Sequence, residues 1–346
     1  MNHCLLSVCI PTYNRAQYLE YLLSRFKEEM LPEGLEIIVS DNASTDSTPQ
    51  VVEKYQQSIP GLRYLRNPEN IGSGQNTIEL VKAVQGKYFW LFMDDDDFDN
   101  GLIIKLAEIL NHNPELGYVF INYGIYDHDL KNKTGNSWCP TQADKIVLNG
   151  DELFATIRFA NSFASSNVFR KDVWERSHAS SYADNQWMHI FVCRETLINE
   201  KCYIVGHPAV HMRAVATKEK RAASRRSGNP FDGNDYFMDA HLKFIRYTNE
   251  MTQYGYAEKT RKLGLGLARK ENFNQISMLK QTSPYMFIYY LKISVTMAYY
   301  FKRAPSFWLM HIPLMFIPNS ILRFRYKYGP KLGRFLRSFK QSSVSS

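Results

Sequence analysis

Across the first hundred residues, short apolar runs rich in β-formers alternate with stretches whose apolar side chains recur at helical spacing. This alternation restricts the fold more than any other feature of the chain. LLSVCIP (Leu5 to Pro11) reads as a buried strand stopped by proline. Tyr18, Leu19, Leu22, Leu23 and Phe26 then mark one face of a helix. LEIIVSD (Leu35 to Asp41) is a second buried strand, and Ser47 with Gln50 has the spacing of a capping box. Pro49 suits the first turn of the helix that follows through Val51, Val52 and Tyr55. LRYLRN (Leu62 to Asn67) predicts a third strand, NPENIGSGQN a loop, Thr77 to Gln85 a helix, and YFWLFMD a fourth strand. The order predicts an α/β fold, a mostly parallel Rossmann-like sheet with helices on both faces.

Beyond Gly150 the pattern loosens. ASSNVFRKDVW (Ala164 to Trp174) suggests a strand leading into a short helix. A helix is expected near Asp184 to Glu195 and a strand in CYIVGHPAVHMRAV. Thr217 to Pro230 reads as a basic, mobile loop, and Phe231 to Gln281 is helical in composition.

Ligands of such sheets sit outside the carboxyl ends of the strands. Polar residues gather there: Thr12 to Arg15 after the first strand, Asp41 and Asn42 after the second, and Asp94 to Asp97 after the fourth. Four consecutive aspartates are commonly a solvated turn, but these follow directly on an apolar strand. Carboxylates about 4 Å apart repel by roughly 4 kcal/mol at an effective dielectric near 20. Such a group either raises a pKa or recruits a cation. Oxygen donors alone favour Mg²⁺ or Mn²⁺ over Zn²⁺, the ion being shared with a substrate diphosphate.

SVCIPTYNR, VSDNASTDST, NPENIGSGQN and FMDDDDF, in this order and spacing, resemble the inverting nucleotide-sugar glycosyltransferases of family 2. The likeness covers the first hundred residues well and extends more loosely to Arg213. It implies a GT-A fold, a Rossmann-like half joined to an acceptor-binding half. By that resemblance Pro11, Thr12, Tyr13, Asn14 and Arg15 line the nucleotide pocket, and Asp41 meets the pyrimidine ring with Asn42 beside it. Asn70, Gly72 and Asn76 shape the sugar-diphosphate pocket. The aspartates correspond to the D-x-D motif, with Asp94 on the ribose or diphosphate side, Asp96 on the metal and Asp95 between; the run leaves the register open by one residue. Inversion needs a carboxylate base opposite the leaving group. The family's base precedes a helix in the second half, which points to Asp184, with Asp172 and Glu175 as competitors. Ala183 stands where the family often has an acid, and a helix N-terminal charge is the simpler role for Asp184. His207 and His211 share a strand face. Such histidines are usually structural, but some related folds add one to the metal, which would be His211. Arg213 and the basic loop could close over the diphosphate or merely be solvated.

The charge of the chain is divided. Of its 42 Lys and Arg, ten lie in 284–346, which has no Asp or Glu; the rest holds 32 basic against 34 acidic residues, a net of −2. Aromatic and basic residues mixed in this tail suit a membrane headgroup layer, although no apolar run reaches the length of a spanning helix. A helical cap packed on the domain is the alternative. Met1 to Ile10 has no basic leader, and five scattered cysteines without C-x-x-C spacing fit a reducing cytoplasm. The expected organisation is a catalytic domain over 1–215 (nucleotide-binding half about 1–100, acceptor half about 101–215), a basic loop and helical segment over 216–283, and a membrane-associating tail over 284–346. The expected protein is a peripheral enzyme on the cytoplasmic face of the inner membrane. It would take a nucleotide-diphosphate sugar, UDP-type favoured, and a lipid-linked oligosaccharide acceptor, with Mn²⁺ or Mg²⁺ and no nucleic acid. A membrane adaptor with a vestigial pocket is a second reading. A dehydrogenase is a weaker third, because NIGSGQN lacks the last glycine of a dinucleotide loop.

Overall fold

A computed structural model of the chain describes residues 4–137, 139–185, 187–214, 245 and 247–268. The chain divides into two units, Met1–Asn229 with Glu250–Arg261, and Pro230–Asn249 with Lys262–Ser346. The first carries everything below. The basic loop, most of 231–281 and the whole 284–346 tail lie outside the described residues. Among those described, no helix is long and apolar enough to cross a membrane.

The nucleotide half is built as the alternation predicts. Strands β1 (Leu6–Thr12), β2 (Leu35–Asp41), β3 (Leu62–Arg66) and β4 (Tyr88–Leu91) pair in parallel, in the order β3-β2-β1-β4. Helices α1 (Ala16–Glu28), α2 (Thr48–Gln56) and α3 (Ser73–Lys82) connect them. Each buries the stripe its spacing defines; on α1 that stripe is Leu19, Leu22, Leu23 and Phe26. The β1–β2 register sets Pro11 beside Ser40 and Thr12 beside Asp41, so two polar residues close two adjacent strands side by side.

Three boundaries differ from expectation. The Ser47 side chain caps nothing; Asp46 accepts from the Thr48 amide at 3.0 Å and from the Ala16 amide at 3.1 Å, tying together the starts of α2 and α1. Helix α3 begins at Ser73, inside the expected loop, because Gly72 takes the left-handed φ of 85° that turns the chain into it. Strand β4 stops at Leu91, and the Asp96 amide donates back to the Met93 carbonyl in a turn that sets Asp94 and Asp95 between β4 and the next strand.

The second half is mixed, unlike an all-parallel sheet. After β5 (Asp97–Phe98) come α4 (Leu102–His112), β6 (Tyr118–Tyr126), β7 (Lys133–Asn136), β8 (Lys145–Val147) and α5 (Gly150–Ile157). Then follow β9 (Asn167–Arg170), α6 (Lys171–Glu175), α7 (Met188–Thr196) and β10 (Cys202–Arg213). The sheet continues β4-β9-β6-β10-β5, with β9 antiparallel to both neighbours and β10 parallel to β6 through a register shift between Val205 and Val210. Inserting β9 backwards keeps β4 and β6 running the same way, so their carboxyl ends open on one side. Trp90, Phe92, Phe98 and Phe26 pack edge-on or tilted beneath the aspartate turn and give it a rigid floor.

Candidate active site

The four aspartates have four different sets of partners. Asp94 is buried; its Oδ2 accepts from Thr12 Oγ1 at 2.7 Å and its Oδ1 from Arg15 Nη1 at 2.9 Å. The same Nη1 lies 2.8 Å from Asp95 Oδ2. Asp97 accepts from the Tyr21 hydroxyl at 2.7 Å and from Arg25 Nε at 3.0 Å. Asp96 differs. It is buried, and its oxygens accept only from neutral donors, the Ser165 hydroxyl at 2.6 Å and the Arg213 amide at 3.1 Å. Among the described residues no cationic side chain pairs with it.

Burial governs the protonation of this group. It pushes the Asp94 carboxyl up to about 6, against the opposing pull of Arg15. Burial and then the Asp95 charge push Asp96 well above the ordinary carboxylate range. Two buried acids that ionise reluctantly, with oxygen donors only, fit a hard divalent cation. Among the described residues no group of three His, Cys, Asp or Glu forms a cage for one.

The residues expected around the nucleotide fall into two sets. Pro11, Thr12, Asn14, Arg15, Asp41 and Asn42 do gather at the carboxyl ends of β1 and β2. Asn14 takes a left-handed φ of 52°, and its Oδ1 accepts from the Thr45 amide at 2.7 Å, joining the first two loops. Tyr13 is exposed beside it. Asp41 is fully buried and accepts from Tyr64 OH at 2.6 Å and the Ser44 amide at 2.8 Å, with Arg66 Nε 3.5 Å away. The asparagines are spent on one another. Asn42 Nδ2 donates to Asn70 at 2.9 Å, while Asn67 Nδ2 donates to Asn42 at 3.1 Å and to Asn76 at 2.8 Å. They hold the 67–76 loop on the end of β2.

Asp184 is exposed, in a turn between the 3₁₀ turn Ala179–Tyr182 and α7. The helix begins at Met188, four residues later than the dipole argument requires. The turn that carries Asp184 packs on α3: a Cβ at Gly74 would stand 1.9 Å from the Ala183 carbonyl oxygen, so the turn rests on the bare backbone that opens α3. Asp172 and Glu175 belong to the opposite end of the sheet. Asp172 pairs with Arg170, whose register partner Tyr88 is the first residue of β4. His211 Nε2 is committed to Asp99 at 2.8 Å and its ring lies 4.4 Å from Tyr126, so it serves Asp99 rather than Asp96. The Arg213 side chain donates to the Asp95 and His128 carbonyls at 2.6 and 2.5 Å, between the rings of Tyr18 and Tyr21. It fastens the aspartate turn and is not a solvated loop residue.

Sequence reasoning missed Ser165, Tyr64, Tyr21 and Arg25. Only Tyr21 and Arg25 left a signal, lying one helical turn apart on α1 beyond Arg15.

A mixed α/β sheet with buried acids and polar loops at its carboxyl edge is the architecture of a GT-A fold. Residues 7–167 match the family described as Glycosyl transferase family 2. It is 29% identical over 245 residues to the abequosyltransferase RfbV of Salmonella typhimurium, covering 64% of this chain and 71% of that one. It is 29% identical over 176 residues to the GalNAc(5)-diNAcBac-PP-undecaprenol beta-1,3-glucosyltransferase of Campylobacter jejuni, covering 49% of this chain and 53% of that one. The fold matches residues 1–349 of S. aureus TarS, crystallised with UDP-GlcNAc, at a TM-score of 0.64 and 14% identity, over 94% of this chain and 92% of that one.

Proposed function

We propose that the protein is a metal-dependent, inverting glycosyltransferase that moves a sugar from a nucleoside-diphosphate donor, UDP-type favoured, to a lipid-linked saccharide in surface polysaccharide synthesis. The observation that carries this reading is Asp96, a buried carboxyl at the sheet's edge whose partners among the described residues are all neutral. Asp96 and Asp94 would hold Mn²⁺ or Mg²⁺. When bound, the cation would neutralise charge gathering on the departing diphosphate. Asp41 would meet the base of the nucleotide, with Asn42 beside it. Asp184 would take the proton of the acceptor hydroxyl on the face opposite the diphosphate. Its exposure suits an acceptor arriving from outside, and the position of Asp172 and Glu175 at the other end of the sheet supports Asp184 over those two.

The acceptor rests on the relatives' names, one of them acting on an undecaprenol-linked substrate, and on the basic aromatic tail. That tail would hold the enzyme peripherally on the cytoplasmic face of the inner membrane.

Calorimetry with UDP, CDP, GDP and dTDP, with and without Mn²⁺, tests the site. Binding should require metal, and Asp96→Asn should lose the requirement. Asp184→Asn should keep nucleotide binding and lower turnover by about 10²–10⁴-fold. Metal-independent binding in both proteins would refute the metal assignment, and full turnover in the Asp184 variant would refute the base.

A further inference from the structure

We propose that Arg15 is the resident counter-ion of the aspartate run in the nucleotide-free enzyme, and that it yields this place only when a nucleoside diphosphate arrives, so that metal and nucleotide bind together. The inference rests on the metal reading above and adds an order of events to it.

The contacts of Arg15 are unusual for a guanidinium. Arginine ordinarily meets a carboxylate with two parallel N–H donors. Here one nitrogen, Nη1, serves two carboxylates, Asp94 at 2.9 Å and Asp95 at 2.8 Å. Among the described residues Nε and Nη2 make no hydrogen bond. The arginine side chain is 40% exposed, while the Asp94 side chain it neutralises is 4% exposed. Asp94 is pinned from the other side by Thr12, so the acid is fixed and the base is held at a single point. The backbone of Arg15 is anchored, because its carbonyl accepts from the Tyr18 and Leu19 amides as α1 begins. Only its side chain, resting 5.5 Å over the Tyr18 ring, is free to turn.

A dication approaching Asp94 to Asp96 alone meets this guanidinium at close range and is repelled. A diphosphate changes the balance. It offers Arg15 the two-oxygen partner that its unused donors lack, and it brings charge to the metal. By linkage, each ligand then tightens the other equally.

The test is a Mn²⁺ titration of the full chain followed by the EPR signal of free ion, with and without the best-bound of UDP, CDP, GDP and dTDP. Wild-type protein should bind Mn²⁺ weakly alone and about tenfold more tightly with nucleotide. Arg15→Gln should bind Mn²⁺ alone about tenfold more tightly than wild type and show little gain from nucleotide. Arg15→Lys keeps the charge and should bind Mn²⁺ alone as weakly as wild type but gain less from nucleotide, because an ammonium lacks the paired donors; its metal-alone arm keeps the test decisive if the glutamine variant does not fold. If Arg15→Gln binds Mn²⁺ alone no more tightly than wild type, or Arg15→Lys binds it alone well above wild type, the counter-ion role is overturned while the metal reading stands. If wild type takes up no Mn²⁺ even with nucleotide, both fall.

Discussion

Asp94→Asn isolates the cost of burying an ionisable group beneath the nucleotide loops. Burial pushes the Asp94 carboxyl up to about 6, from 3.8. As pH rises from about 4 to about 6, the unfolded chain gives up this proton while the folded one keeps it. The folded state therefore loses stability across that window and regains none above it. The difference in pKa corresponds to about 3 kcal/mol. Asparagine cannot ionise, and Arg15 keeps its contact to Asp95, so the variant escapes the loss. Relative to wild type, its thermal midpoint should rise on going from pH 4 to pH 7.5, by on the order of 5 °C. Taking the difference between the two proteins cancels every other titrating group. Saturating Mn²⁺ with a nucleoside diphosphate should reverse the advantage, because those ligands reward the ionised form. A gap between the proteins that is the same at both pH values would refute the claim that burial holds this acid neutral.

Gly74→Ala should lower the thermal midpoint even though alanine favours a helix, because the Ala183 carbonyl occupies the space and overpacking costs about 1–3 kcal/mol. Turnover should fall at least about tenfold with nucleotide affinity little changed; a fully active variant would mean the 183–184 turn plays no part in the reaction. Tyr64→Phe removes the hydroxyl that donates to the buried Asp41 and should cost about 1.5–3 kcal/mol in denaturant unfolding. An unaltered midpoint would show that the Ser44 amide and Arg66 satisfy Asp41 alone.

How far the sequence reveals this molecule depends on the range of the forces involved. β1, β2 and β4 are apolar on both faces, so their burial is legible locally, and polar residues at their ends mark the side on which a ligand sits. β9 is legible as a strand but not in its antiparallel direction, and β5 carries no signal at all. They have four and two residues, and their direction is fixed by partners elsewhere in the chain. The helix starts were misread where a side chain one residue away did the capping, as Asp46 does for Ser47. Within the site, four identical residues in a row contain no register of their own. Their roles are assigned by Thr12, Arg15, Tyr21, Arg25, Ser165 and Arg213, reached across 69 to 117 residues of chain on Asp96 alone.

That division of labour makes Asp96 and Asp97 respond oppositely to the same change. At position 97 a carboxylate is structurally required, since it accepts from both the Tyr21 hydroxyl and the Arg25 guanidinium. An asparagine would turn one acceptor into a donor facing a donor and strand Arg25, at a cost of about 1.5–3 kcal/mol. At position 96 an asparagine could still accept from the Arg213 amide while its NH₂ donates to Ser165, and it would remove a buried acid that no cationic side chain balances among the described residues. A chain shaped only for stability would do better with an amide at 96. In metal-free protein at pH 7.5, Asp97→Asn should therefore melt lower than wild type, and Asp96→Asn at or above it. Two variants that both lose stability to the same degree would mean that Asp96 is a scaffold residue like its neighbour, and no cation would then be needed to explain it.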